Sequence, residues 1–154
     1  MNLNMEVTDG VLFLNGVIDH NSHFDKLLET VDKTSLEVNM KEVIRINSTG
    51  VRNWVEFLKN YNGEVSYHEC SVPVVEQFNM IPQFFGKRSR ILSFFAPFFC
   101  EESDEEVEVL LTCGTNVDLR TKSINGEISC DECDGELSRD FDPDEYLRFF
   151  DNSL

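Results

Sequence analysis

Positive charge is scarce in this chain, long apolar runs are missing, and the cysteines do not form a complete set of pairs. Lys and Arg number 13 against 29 Asp and Glu, a formal net charge of −16. Phosphate repulsion at every approach excludes nucleic acid as a direct ligand. The one basic cluster, Lys87-Arg88-Ser89-Arg90, is too short to reverse this. The longest strongly apolar stretch, "ILSFFAPFFC", is much shorter than the roughly 20 residues of a membrane span, so no membrane partner is expected. The start "MNLNMEVTDG" has no basic residues followed by an apolar core, which makes the cytoplasm the expected location. Five cysteines, an odd number, do not read as a secreted disulfide framework. There is no G-x-S-x-G elbow, no phosphate loop and no H-E-x-x-H pair, and an enzyme is not expected.

What is present is ordinary for a globular protein. With 154 residues, 41% of them hydrophobic and 27% charged, the chain suffices for one domain with a small appendage. The charge is uneven. Residues 1–99 hold 12 acidic and 9 basic side chains, a net of −3; residues 100–154 hold 17 and 4, a net of −13. This step at Cys100 sets the expected division, 1–99 as the main domain and 100–154 as an acidic appendage. A solvated surface accounts for such a tail, and so does a docking face for a basic partner.

Along the chain the hydrophobic period alternates. "MEVT" and "VLFLNG" read as strands around an Asp9-Gly10 hairpin turn. "HFDKLLETVD" puts Phe24, Leu27, Leu28 and Val31 on one helical face. "LEVNM" and "VIRIN" read as strands, and "VRNWVEFLKNY" as a helix with Val51, Trp54, Val55 and Leu58 on one face. "EVSYHE" is a strand, "VPVVEQFNMI" a helix capped at Ser71 with Pro73 in its first turn, and "RILSFF" a strand. Strand–helix alternation predicts an α/β layer with helices packed on a sheet. Beyond Cys100, turns at Gly114-Thr115-Asn116 and Asn125-Gly126 predict small antiparallel strands. "DFDPDEYLRFF" predicts a short C-terminal helix with Asp142 as cap and Pro143 at its first position.

The most informative stretch is "VIRINSTGVRNWVEFLKNY", Val43 to Tyr61, where a strand hands over to a helix through Asn47-Ser48-Thr49-Gly50. Hydroxyls at that junction can cap the helix. They are also placed to carry a phosphate, because the first turn offers unpaired N–H groups and the positive end of the helix dipole.

With "LFLNGVIDHNSHFDKLL" before it and "EVSYHECSVPVVEQFNM" after it, this stretch resembles the STAS domain of sulfate transporters and anti-sigma-factor antagonists. Gly16 and Asp19 match the family's first strand and its end. Asn47-Ser48-Thr49-Gly50 matches its Asp-Ser-Ser/Thr-Gly motif, with Asn in place of Asp. The resemblance covers residues 5 to about 98. It implies a STAS-like small mixed sheet flanked by helices, a non-enzymatic role in protein–protein switching in bacterial signalling, and a partner that is a regulatory kinase or another signalling protein. In antagonist members a kinase phosphorylates the hydroxyl residue before the Gly, which falls on Thr49 here. Asn47, Ser48, Thr49 and Gly50 are therefore the candidate phosphorylation and partner-binding residues. The alternative is a structural adaptor whose acidic C-terminal region docks a basic partner while the motif only caps its helix.

The cysteines carry a second resemblance. Cys130-Asp131-Glu132-Cys133 followed by Gly135 looks like one knuckle of a zinc ribbon. In the other half Cys100 is present, but Ser103 stands where its partner would be. Structural zinc takes four donors. Cys100, Cys130 and Cys133 supply three, with Cys113, Asp104 or a water as fourth candidates, so the expectation is a ribbon-shaped appendage that holds little zinc. His20 and His23 lie one helical turn apart but read as a polar helix start, and His68 reads as structural. Asp140, Asp142, Asp144 and Asp151 fall at calcium-loop spacings, yet Glu145 stands where that loop needs Gly. Cys70 reads as a small buried residue, and Phe94, Phe95, Phe98 and Phe99 as a junction between core and appendage.

Overall fold

A computed structural model describes residues 2–124, 128 and 136–152. The expected Asn125-Gly126 turn and the Cys130/Cys133 pair lie outside the described residues. The chain opens with β1 (Asn4–Thr8) and β2 (Val11–Ile18), paired antiparallel around Asp9 and Gly10. Both turn residues have positive φ, as a two-residue turn between right-twisted strands requires. There follow α1 (Leu27–Thr30), β3 (Ser35–Asn39), β4 (Val43–Ile46), α2 (Ser48–Asn60) and β5 (Glu64–His68). Next come α3 (Val72–Met80), α4 (Pro82–Phe85), β6 (Ser89–Ile91) and β7 (Ser93–Cys100). Beyond residue 100 lie β8 (Glu105–Thr112), β9 (Val117–Asp118), β10 (Ser123–Ile124), β11 (Leu137–Arg139), α5 (Pro143–Tyr146) and α6 (Phe149–Asn152).

The expected α/β class holds. The main sheet runs β1-β2-β3-β5-β6, and all its pairings after the first hairpin are parallel. β3 and β4 use the same edge of β2 in succession: β3 pairs with Val11–Phe13, and β4 with Gly16–Ile18 across a bulge at Gly16/Val17. Gly16 has φ +119, and a Cβ there would lie 2.6 Å from the carbonyl oxygen of Asn2, so only glycine fits. In β2 the alternation is strict, with Leu12, Leu14 and Ile18 fully buried. β5 lies between β3 and β6, and consecutive Val65, Ser66 and Tyr67 are buried because helices and strands cover both faces.

The helices dock through aromatic residues. Phe24 meets Trp54 edge-on at 5.0 Å, and Trp54 stacks on Phe57 at the same distance. Tyr67, Phe78 and Phe85 form a second cluster. Tyr67 joins the two: its hydroxyl accepts from Trp54 Nε1 at 3.2 Å and donates to the Phe85 carbonyl at 2.8 Å. Full burial pushes the phenol pKa upward, so this hydroxyl stays protonated and keeps donating. Around Phe24 only Leu27–Thr30 is helical, although Phe24, Leu27 and Val31 are buried as expected. Ser71 does sit at the N-cap of α3, but its hydroxyl donates to the Val43 carbonyl at 2.6 Å rather than capping. It ties α3 to β4.

The charge step at Cys100 falls inside a second sheet, β11-β7-β8. β7 pairs with β8 along its full length, from Ser93↔Thr112 to Cys100↔Glu105. Asp142 caps α5 by accepting from Asp144 N at 3.0 Å. The expected C-terminal helix is two single turns, and these fold back on the main core. Asn79 of α3 donates to the Tyr146 carbonyl and accepts from Phe149 N, each at 2.7 Å. Phe149 packs on Phe78 and Phe85, and Tyr146, Leu147 and Phe149 join the same buried cluster as Trp54. Phe94 and Phe98 meet Tyr146 and Phe141. Described residues from both sides of position 100 thus belong to one hydrophobic cluster.

Candidate functional site

The ends of β2 and β4 and the start of α2 come together at one place. Asn47 N donates to the Ile18 carbonyl at 3.0 Å, which brings the two strand ends side by side. Asn47 has extended backbone and its side chain accepts from Gly50 N at 2.9 Å. The helix cap is therefore Asn47, not Ser48 or Thr49. Asn is among the strongest capping residues, because its carbonyl reaches the N–H three residues on without competing helical geometry. Ser48 and Thr49 occupy the first two helical positions. Both are exposed, and neither hydroxyl makes a hydrogen bond among the described residues.

Gly50 sets how closely the helix seats. A Cβ at this position would lie 2.4 Å from the Ile18 carbonyl oxygen and 2.7 Å from Asp19 N. The helix start rests directly on the end of β2, where no side chain fits. The loop beyond β2 is held in turn. Asp19 Oδ1 accepts from Asn21 N, Ser22 Oγ accepts from Asp19 N, and Asn53 of α2 donates to the Ser22 carbonyl, each at 2.9 Å. Gly16 and Asp19 thus shape the strand end and loop that brace the motif.

The strand leading into the motif and the first turns of the helix expose mixed side chains: Ile44 is 50% exposed, and Arg45 and Arg52 are exposed. Helical spacing puts Arg52 beside Thr49 and Ser48. The first turn of α2 carries no acidic residue, so its positive end is not offset within the helix. The hydroxyls and Gly50 were legible in the sequence. Ile44, Arg45 and Arg52 were not singled out, although an apolar residue at a strand position whose neighbour Val43 is buried was a signal of exposure.

The other candidates are scattered. Cys100 is fully buried at the end of β7, and its sulfur is engaged in a disulfide, so it does not offer a thiolate. Cys70 and Cys113 are free thiols. Burial raises the Cys70 pKa well above the ordinary thiol value and pushes Cys113 up to about 11. Both are held protonated, unsuited to nucleophilic or zinc chemistry. Among the described residues no group of three His, Cys, Asp or Glu is arranged to hold a metal, His20 and His23 included. His68 Nε2 lies 2.5 Å from Glu37 Oε2 across β3 and β5. Asp140, Asp142 and Asp144 are exposed, and Asp151 pairs with Lys122.

No protein-family model matches the chain, and neither does any curated protein. Among the described residues no helix is long and apolar enough to cross a membrane.

Proposed function

We propose that this protein is a non-enzymatic, STAS-like interaction module of bacterial signalling that binds a protein partner through Ser48, Thr49 and the start of α2. Phosphorylation of Thr49 by a regulatory kinase would control that binding. One observation carries the reading. The cap of α2 is supplied by Asn47, so two exposed hydroxyls stand at a helix start with no hydrogen-bond partner among the described residues. A phosphate on Thr49 would meet the positive end of the helix and the Arg52 guanidinium while placing about two negative charges on the contact face. Ile44, half-exposed in the strand that leads into the motif, would give a partner an apolar anchor.

The test is a pull-down from native cells with wild type, Thr49→Ala and Thr49→Asp, together with the intact mass of the purified protein. The expected result is a phosphate mass shift that Thr49→Ala removes, and partner loss in Thr49→Asp alone. Wild-type partner capture by both variants, with no mass shift, would overturn the switch.

The adaptor reading keeps one supporting observation. Glu101, Glu102, Asp104, Glu105, Glu106 and Glu108 are all exposed and form no ion pair with the described residues. A basic partner held there would dissociate steeply with salt, because exposed charges are screened over about 8 Å at physiological ionic strength. Partner affinity that is flat in salt excludes this reading and leaves the α2 surface.

A further inference from the structure

The far end of α2 faces something different. Val55 and Leu58 of α2, Val65 of β5, Phe85 of α4 and Phe149 of α6 line a groove of about 800 Å³. Lys59, Lys87 and Arg88 stand on its lining, and no Asp or Glu does. In a chain with 29 acidic and 13 basic side chains this is the reverse of the general balance. None of the three cations forms an ion pair with a carboxylate among the described residues.

The groove is also preformed. Gly86 has φ +93, and a Cβ there would lie 2.9 Å from Ser89 Oγ and 3.1 Å from Leu58, so the loop after α4 lies close on α2. Val65 N donates to the Arg88 carbonyl at 2.9 Å, and the Arg88 guanidinium donates to the Asn62 carbonyl at 2.6 Å. These bonds fix Arg88 at the mouth and leave it further N–H donors. Volume, apolar lining and a few converging polar groups are the attributes of a small-molecule site. Unneutralised cations beside an apolar lining select an anionic head on an apolar body.

The geometry points to this groove as a binding site for a small amphipathic anion, a carboxylate or phosphate carried on an alkyl or aromatic body. The apolar part lies against the partly exposed Val55, Leu58 and Pro82, and the head meets Lys59, Lys87 and Arg88. Inorganic anions lack the first half of that fit, and neutral alcohols lack the second. The site is separate from the Thr49 surface and does not depend on its reading.

Calorimetric titration with octanoate and with octyl phosphate distinguishes the two heads, with octanol and inorganic phosphate as the incomplete ligands. Amide NMR shifts at Gly63 and Gly86, both on the lining, locate the binding. The expected result is saturable binding by one or both amphipathic anions, with shifts at those glycines and an affinity at least about tenfold above octanol and inorganic phosphate. The double variant Lys59→Gln/Lys87→Gln changes two exposed side chains and should lose about tenfold in affinity with its melting temperature unchanged. Octanol binding as tightly as octanoate, equal affinity in the double variant, or shifts confined to residues 44–52 would each overturn the proposal.

Discussion

Up to residue 99 the apolar side chains meet one another across the sheet and its helices, as Phe24, Trp54 and Tyr67 do. Beyond residue 100 they reach back: Phe141 to Phe98, Tyr146 to Phe94, Phe149 to Phe78 and Phe85. The second stretch carries net −13 against −3 for the first, yet its apolar residues join the first one's core and its Phe149 reaches the groove. Surface charge and packing therefore vary independently along this chain. Acidic side chains point to water whatever lies beneath them, so the step in composition marks a change of surface.

The most severe break in this shared core is Trp54→Ala, which removes the link between both aromatic clusters. It should cost about 3–5 kcal/mol in denaturant titration. Phe149→Ala lies in the acidic stretch and should cost about 3 kcal/mol. Calorimetry should show one transition in this variant, as in wild type. Two separated transitions would make residues 100–152 an independent unit. Tyr67→Phe keeps the ring but leaves Trp54 Nε1 and the Phe85 carbonyl short of a partner, at about 1–3 kcal/mol. Asn47→Ala should cost about 1 kcal/mol through the lost cap, whereas Ser48→Ala and Thr49→Ala should leave denaturant stability almost unchanged.

A further effect, read against pH, is expected in alkali. The Cys113 thiol, ordinarily near 9.0, is raised to about 11 by burial. The unfolded chain therefore loses this proton first. The contribution is complete below about pH 9 and is lost as pH rises toward about 11. Cys113→Ala should fall less in stability than wild type across that window. Equal slopes would show that the thiol is not shielded.

The strands and helices were legible because their periods are clean. β2 alternates without exception, and α2 repeats its apolar residues at helical spacing. The Asp9-Gly10 turn was legible because few dipeptides adopt two positive φ angles. The site was legible in part. Gly50 stood out, but the reason for it, a carbonyl of β2 2.4 Å from any added Cβ, belongs to tertiary contact. The cap was assigned to the hydroxyls because Asn, Ser and Thr all cap well, and only the backbone angle at residue 47 decides among neighbours. The groove was invisible, since Lys59, Lys87, Arg88 and Phe149 lie up to 90 residues apart and no local pattern joins them.

Trp54 is the only tryptophan in the chain and has no exposed surface. Its indole N–H is held by Tyr67, and it lies on the same helix that begins at Ser48 and ends at the Lys59 groove. The molecule therefore carries its own fluorophore, in a dry setting midway between the two proposed sites. Emission from a dry indole lies to the blue of emission from a hydrated one, and its intensity depends on the groups packed around it. A partner at one end of α2 or an anion at the other can be followed by light from the native protein, without a label, provided that its binding shifts the helix against β5.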